Sequence, residues 1–430
     1  MAFLQSLLRL SDARTPVVTA NITLRIVSVG LRALLTLTMA VWLQPAELGL
    51  FALIAATLTL TTYLYGLDFH TFSMRELSTS NLAEARMHIR DQFALQAVVC
   101  LVGTTVLALV LRRLEVAPII IALIAAMSVL QQVGLELYRI LTRLGRPVRG
   151  AIVLLLRDGA WVPLCLLTQL LAGKLSITIL LVCWLGGSVT AFLYGAWFLV
   201  RWLPTSGDRM PIDISWLAAG LRTGLRMLAG TISLVALFSV DRMMFASAVS
   251  PDELGAYALF ALGCASVQGL FETAILPLFW APLLQATRDG DADAARNAQE
   301  RLSRACLFGG IGGAVVMAAG LTALAWLLPE RAYWANLHLL YYLVAAYSLL
   351  TLSNIPHYRL FAARFDTQIV TAHVATLLTF VVLAWLIAIY DSSIAVPFAL
   401  ALACATLFGI KLLMVMRNSA QDQRWAPGAP

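Results

Sequence analysis

The sequence predicts an all-α polytopic membrane protein built from two related halves. Three observations carry that expectation. Apolar runs of about 20 residues, enough to cross a hydrocarbon core roughly 30 Å thick, recur from end to end. Hydrophobic residues make up 60% of the chain and charged residues only 12%, far from the balance of a soluble domain. One short stretch occurs twice: residues 45–53 read PAELGLFAL and residues 251–259 read PDELGAYAL, close to half of the 430 residues apart. Pro45, Glu47, Leu48, Gly49, Ala52 and Leu53 match Pro251, Glu253, Leu254, Gly255, Ala258 and Leu259. Proline followed by an acid suits the first turn of a helix, where free N–H groups and the helix dipole favour both. The stretch reads as one helix-connection-helix unit used at the same place in each half.

Taken in order, residues 1–16 hold Arg9 and Arg14 among leucines, which fits a short amphipathic helix on the membrane surface. Spans are expected at 17–41, 47–66, 93–111, 117–137, 151–171 and 176–200. Residues 201–215, with Pro204, Gly207, Asp208 and Pro211, form a turn-rich link, so the halves are taken as 1–205 and 206–430. The second half repeats the rhythm at 216–240, 253–276, 305–328, 332–353, 369–389 and 394–416. The long polar stretch 287–304 is rich in Ala, Arg and Glu and reads as a cytosolic surface helix.

The formal charge is +7, with basic residues concentrated in short connections; this sets membrane orientation and argues against a nucleic-acid partner. With the N-terminus inside, most of the 30 basic residues lie in inner segments, against Arg112, Arg113, Lys174, Arg242 and Arg331 in outer ones. Both termini are therefore expected in the cytoplasm, with the first span as an uncleaved signal. The six cysteines lie in or beside apolar segments, form no CxxC pair, and read as small buried hydrophobes.

Several charges fall at bilayer depth, where they are costly and usually face a bundle interior or a wet cavity. Arg25 and Arg32 lie two turns apart on one face of the first span, about 10 Å along its axis. Arg222 and Arg226 share a face of the seventh span, and Arg157 and Asp158 lie in the fifth. These arginines are candidate substrate-binding residues of a cationic lumen suited to a phosphate or diphosphate headgroup. Asp68, His70, Asp158, Asp241 and Glu272 are candidates for coupling or pairing. Asp68 or Glu272 could supply an acid to Arg32, Arg157 could simply pair with Asp158, and the arginines near span ends could snorkel to headgroups. Pro277 and Pro282 in ILPLFWAPLL can end or bend the eighth span.

Enzyme signatures are missing: there is no HExxH, no GxSxG, and the five histidines are scattered. GGIGG at 309–313 lacks the Lys-Ser/Thr ending of a phosphate loop, so no nucleotide, metal or other cofactor is assigned.

A first span followed by PAELGLFAL, with DRMMFASAVSPDELGAYALF at 241–260, resembles the polysaccharide biosynthesis, or oligosaccharide flippase, family. The wider superfamily includes the multidrug and toxin extruders and the lipid II flippases. The likeness covers about residues 15–416. It implies two six-helix bundles related by a pseudo-twofold axis around a central cavity. It further implies a flippase, without covalent chemistry, that moves undecaprenyl-diphosphate-linked oligosaccharides to the outer leaflet during synthesis of a surface polysaccharide such as O-antigen. The partners implied are the polyprenyl-diphosphate-linked glycan, anionic membrane lipids, and a polysaccharide polymerase with its assembly proteins. The alternatives are a multidrug or small-solute exporter of the same fold, and a non-transporting membrane protein or enzyme of polysaccharide assembly. Many multidrug members carry an acid in the first span, whereas residues 17–41 hold two arginines and no acid.

Overall fold

The computed structural model describes residues 15–76, 82–173, 175–202, 211–328 and 331–421. The surface helix expected over residues 1–16 and the boundary at 205/206 fall almost entirely outside these residues. Every described element is helical. The first half comprises α1 (Thr15–Trp42), α2 (Pro45–Gly66), α3 (His70–Glu76), α4 (Leu82–Arg113), α5 (Pro118–Arg143), α6 (Pro147–Asp158), α7 (Val162–Ala172) and α8 (Ile177–Trp202). The second comprises α9 (Ile214–Leu237), α10 (Val240–Ala246), α11 (Pro251–Leu270), a π-helical turn (Phe271–Ile275), α12 (Pro277–Asp289), α13 (Ala292–Leu327), α14 (Arg331–Ala335), α15 (Leu337–Ala362), α16 (Asp366–Ala388) and α17 (Ser392–Gln421).

Eleven segments are long and apolar enough to cross a membrane, and twelve when α9 and α10, bent by 41°, form one span. Each matches an expected span. The difference lies in two lengths. Helices α4 and α13 start well before their apolar runs, so residues 292–304 continue a span and do not form a separate surface helix. The cause is local: Asp291 accepts the Ala294 N–H at 2.9 Å, and the Ala-rich stretch that follows favours helix.

Breaks in three spans have backbone causes. Pro277 has no N–H for the ladder, and the Leu276 N–H reaches back to the Phe271 carbonyl at 2.9 Å, closing a π turn. Between α6 and α7 the chain passes Gly159, where an added Cβ would sit 3.3 Å from Leu31 and Ser28 of α1. Between α9 and α10 it turns at Phe238–Ser239.

Helices α5, α6 and α8 pack on one another, with α1 against α6 and α2 against α5; α15, α16 and α17 do the same in the second half, with α13 against α15 and α9 against α16. The two bundles meet chiefly through α2 and α11, the helices that begin with the repeated stretch. Each starts with proline at N1 and closes a capping box: Glu47 accepts from the Gln44 N–H at 3.3 Å, and Glu253 from the Ser250 N–H at 2.9 Å. The glycines of the stretch occupy the crossing. A Cβ on Gly255 would fall 2.0 Å from the Pro45 carbonyl oxygen, and one on Gly49 would fall 3.0 Å from Leu254. Both helix starts therefore lie at one end of the bundle, and each copy of the motif rests on the other.

A Gly255→Ala substitution should push backbone against backbone and cost about 2 kcal/mol. The measurement is thermal unfolding in detergent, with Gly269→Ala, which meets nothing within 4 Å, as the neutral control.

Candidate functional site

Charge inside the first bundle is closely paired. Arg157 grips Asp158 through two hydrogen bonds, Nε to Oδ1 at 2.8 Å and Nη2 to Oδ2 at 3.0 Å, and its Nη1 donates to the Gln131 carbonyl at 3.2 Å. Arg32 reaches the same carboxylate at 3.6 Å from α1, its own side chain 53% exposed and that of Asp158 only 10%. The acid that meets Arg32 is thus Asp158, not Asp68 or Glu272. Arg25 donates to the Tyr138 hydroxyl. A second network, which the sequence reading missed, surrounds the fully buried Glu136 of α5. Its carboxylate accepts from Gln92 at 3.0 Å, Gln132 at 3.2 Å and Arg139 at 2.6 Å. The signal for it was present: Gln132 and Glu136 stand one turn apart in a largely apolar helix.

Asp68 sits just beyond the end of α2 and joins the halves. Its Oδ2 accepts from the Thr231 hydroxyl of α9 at 2.7 Å, and its Oδ1 lies 3.0 Å from His70 Nδ1. Burial by itself would raise the Asp68 carboxyl; His70, Thr231 and the charge of Arg139 outweigh that and hold it below the usual carboxylate range. The contact therefore persists through neutral pH and is lost only as pH falls through that lowered value. Beside it, Gly224 lets α9 approach the Leu67 carbonyl, and Gly220 faces the Phe69 ring.

In the second bundle, Asp241 accepts from the Tyr257 hydroxyl at 2.7 Å, fully buried, and Arg242 faces Tyr347. Arg222 and Arg226 are exposed on α9 and, among the described residues, join no ion pair. Glu272 differs from the other acids. It lies on the π turn, which packs against α1, and its side chain is accessible. Gln268 donates to it at 2.8 Å and in turn accepts from Thr351. Tyr358 lies beside it, stacked on Trp280 with ring centroids 5.6 Å apart and planes 1° from parallel. Among the described residues, no arginine, lysine or histidine pairs with Glu272. An accessible, unpaired carboxylate beside aromatic faces is the arrangement that attracts an organic cation. Among the described residues no group of three or more His, Cys, Asp or Glu is placed to hold a metal ion.

Arg157→Met should leave Asp158 buried and short of its main partner, costing about 3 kcal/mol. Arg32→Met, which removes a longer contact from a half-exposed side chain, should cost less than about 1 kcal/mol. Thermal unfolding of the two purified variants checks the difference, and equal losses would contradict it.

No protein-family model matches the chain, and no curated protein matches it in sequence. Solved structures do. An inward-facing multidrug resistance MATE family transporter of the MOP superfamily superposes with a TM-score of 0.66 at 13% identity, covering 93% of this chain and 95% of that one. An outward-facing structure of such a transporter gives 0.62 at 12% identity, covering 94% and 96%. A MOP superfamily transporter from Pyrococcus furiosus Vc1, described as having a binding pocket of reverse polarity that suggests a different function, gives 0.60 at 13% identity, covering 94% and 96%. These likenesses overturn the expected oligosaccharide flippase and its place in surface polysaccharide synthesis. With it go the partners expected from it: the polyprenyl-diphosphate-linked glycan and the polysaccharide polymerase with its assembly proteins. The geometry agrees with the correction. Arg157 and Arg32 share one carboxylate and Arg25 is turned to Tyr138, so these three candidate arginines do not form a free set for a diphosphate. Over nearly its whole length the chain has the fold of the MATE transporters of the MOP superfamily.

Proposed function

We propose that this protein exports small organic solutes, amphipathic organic cations first among them, by alternating access between its two halves. The observation that carries the reading is Glu272, an accessible carboxylate without a basic partner, set on a π turn between the bundles and flanked by the Trp280–Tyr358 stack. In a site of low dielectric a fixed carboxylate attracts a cation far more strongly than in water, and aromatic faces add to that without demanding one shape of solute. Structures of the same fold are described as inward-facing and outward-facing, which supports rocking of residues 1–205 against 206–430 around the site. No covalent bond changes.

In this reading Arg32 belongs to the opposite wall. Its exposed guanidinium, tied loosely to Asp158, repels a cation and keeps it on the Glu272 side. Arg25 and Arg157 hold the first bundle together, and Arg222 and Arg226 mark the inner end of α9. The protein lies in the bacterial inner membrane with both termini in the cytoplasm, as the basic connections favour.

The test is transport of tetraphenylphosphonium by purified protein in vesicles. The wild-type protein should move it, and Glu272→Gln should weaken its binding by at least roughly tenfold, about 1.4 kcal/mol, with thermal stability kept. Movement of an organic anion in its place, or full activity of the glutamine variant, would overturn the assignment. Orientation is checked separately in intact cells, with the native cysteines replaced. A cysteine at Ser392 should react with an impermeant thiol reagent and one at Ala292 should not; the reverse pattern would refute cytoplasmic termini.

A further inference from the structure

Lys411 is one of two lysines in the chain, and it lies in the middle of α17, only 2% exposed. Among the described residues no carboxylate pairs with it. Within its electrostatic reach are two histidines, His357 of α15 and His373 of α16, whose rings stack with centroids 6.0 Å apart and planes 11° from parallel. The protonation pattern of His373 follows from geometry. Its Nδ1 lies 3.1 Å from the Gly230 carbonyl of α9, and a carbonyl only accepts, so Nδ1 carries the hydrogen. Nε2 is then a free lone pair, buried and without a partner, and His357 Nδ1 is likewise buried and unpartnered.

We propose that His357, His373 and Lys411 form a proton-binding site that is linked to occupancy of the solute site. The three basic groups are buried within electrostatic reach of one another, so a proton on any of them disfavours a proton on the others, and they titrate as a unit. A proton entering the cluster is taken by a free imidazole nitrogen or by the Lys411 amine; it leaves from the same atom, and no other bond changes. Cys404 lies near Lys411 on the same helix, with Asp241 of α10 beyond it, and Tyr358 and Arg359 follow His357 on α15.

Two physical routes lead out of the cluster. His357 precedes Tyr358, at the point where Pro356 interrupts the ladder of α15, and Tyr358 lies beside Glu272. A positive charge on the cluster therefore opposes a cation held by Glu272. On the other side, a charge on His373 strengthens its bond to the Gly230 carbonyl. The next residue, Thr231, donates to Asp68 of the first half. Solute exchange for a proton follows if the cluster cannot stay charged while the cation is bound. This last step rests on the reading of Glu272 given above; the existence of the proton site does not.

The two claims are tested separately. Without any solute, the histidine ring signals of the purified, nitrogen-15-labelled protein should titrate as a coupled pair in nuclear magnetic resonance spectra. Lys411→Met and Lys411→Arg should each move that titration, the first by removing the third base and the second by fixing its charge. Histidines whose titration ignores both substitutions would overturn the site. With tetraphenylphosphonium as the probe, binding to the wild-type protein should release a proton, read as a heat that depends on the ionisation enthalpy of the buffer. Its affinity should fall by up to roughly tenfold per unit of falling pH, the limit for one proton exchanged. Lys411→Met and His373→Gln should bind the probe with that release lost. Release equal to the wild type in both variants would assign the proton to Glu272 and refute the linkage. A wild-type protein that binds no tetraphenylphosphonium, yet shows the coupled histidine titration, would sink the cation reading and leave the proton site standing.

Discussion

The crossing of α2 and α11 is the constraint on which the rest of the molecule depends. Two helices meet there with the Pro45 carbonyl lying where a side chain on residue 255 would begin. Within a bilayer there is no hydrophobic gain from bringing apolar helices together, so close backbone approach and packing must supply the association. Glycine at 49 and at 255 makes that approach possible, and the capped proline starts fix where each helix begins. The contact is reciprocal, each copy of the motif resting on the other, as at an interface between equivalent partners. The repeat is therefore both evidence of two related halves and the means by which they join.

Away from that crossing, charge decides which contacts hold and which remain open. Glu136, Asp158 and Asp68 each meet a basic group together with further donors. Glu272 meets only an amide, while Lys411 and its two histidines meet no acid among the described residues. A buried charge needs a partner, water or a ligand. The paired charges fasten helices to one another. The unpaired ones, Glu272 and the group around Lys411, are the sites proposed for a cation and for a proton.

The same accounting separates the arginine-based expectation from the geometry. Arg25 and Arg32 do lie on one face of α1, as their spacing requires. One ends on a tyrosine hydroxyl and the other on a carboxylate already held by Arg157. Five arginines at depth suggested a lumen for a diphosphate; Arg25, Arg32 and Arg157 turn out to have partners within the first bundle, and Arg222 and Arg226 lie exposed on α9. With the partners in place, the accessible charge at the junction of the halves includes a carboxylate.

The sequence by itself determined the class of fold. Apolar length and scarce charge settle how many times the chain can cross a bilayer, and the matched Pro, Glu and Gly settle where the second half repeats the first. It also pointed to Asp68, Asp158 and Glu272 as exceptional, because a charge in an apolar run is visible without any neighbour. Only the tertiary structure decided what each charge does, since partners such as Arg32 and Asp158, Asp68 and Thr231, or Lys411 and the two histidines come from spans far apart in the chain. Periodicity places a residue on a face of its own helix. It carries no information about which helix that face will meet, and in a membrane that meeting decides whether a charge fastens the fold or is left free to bind.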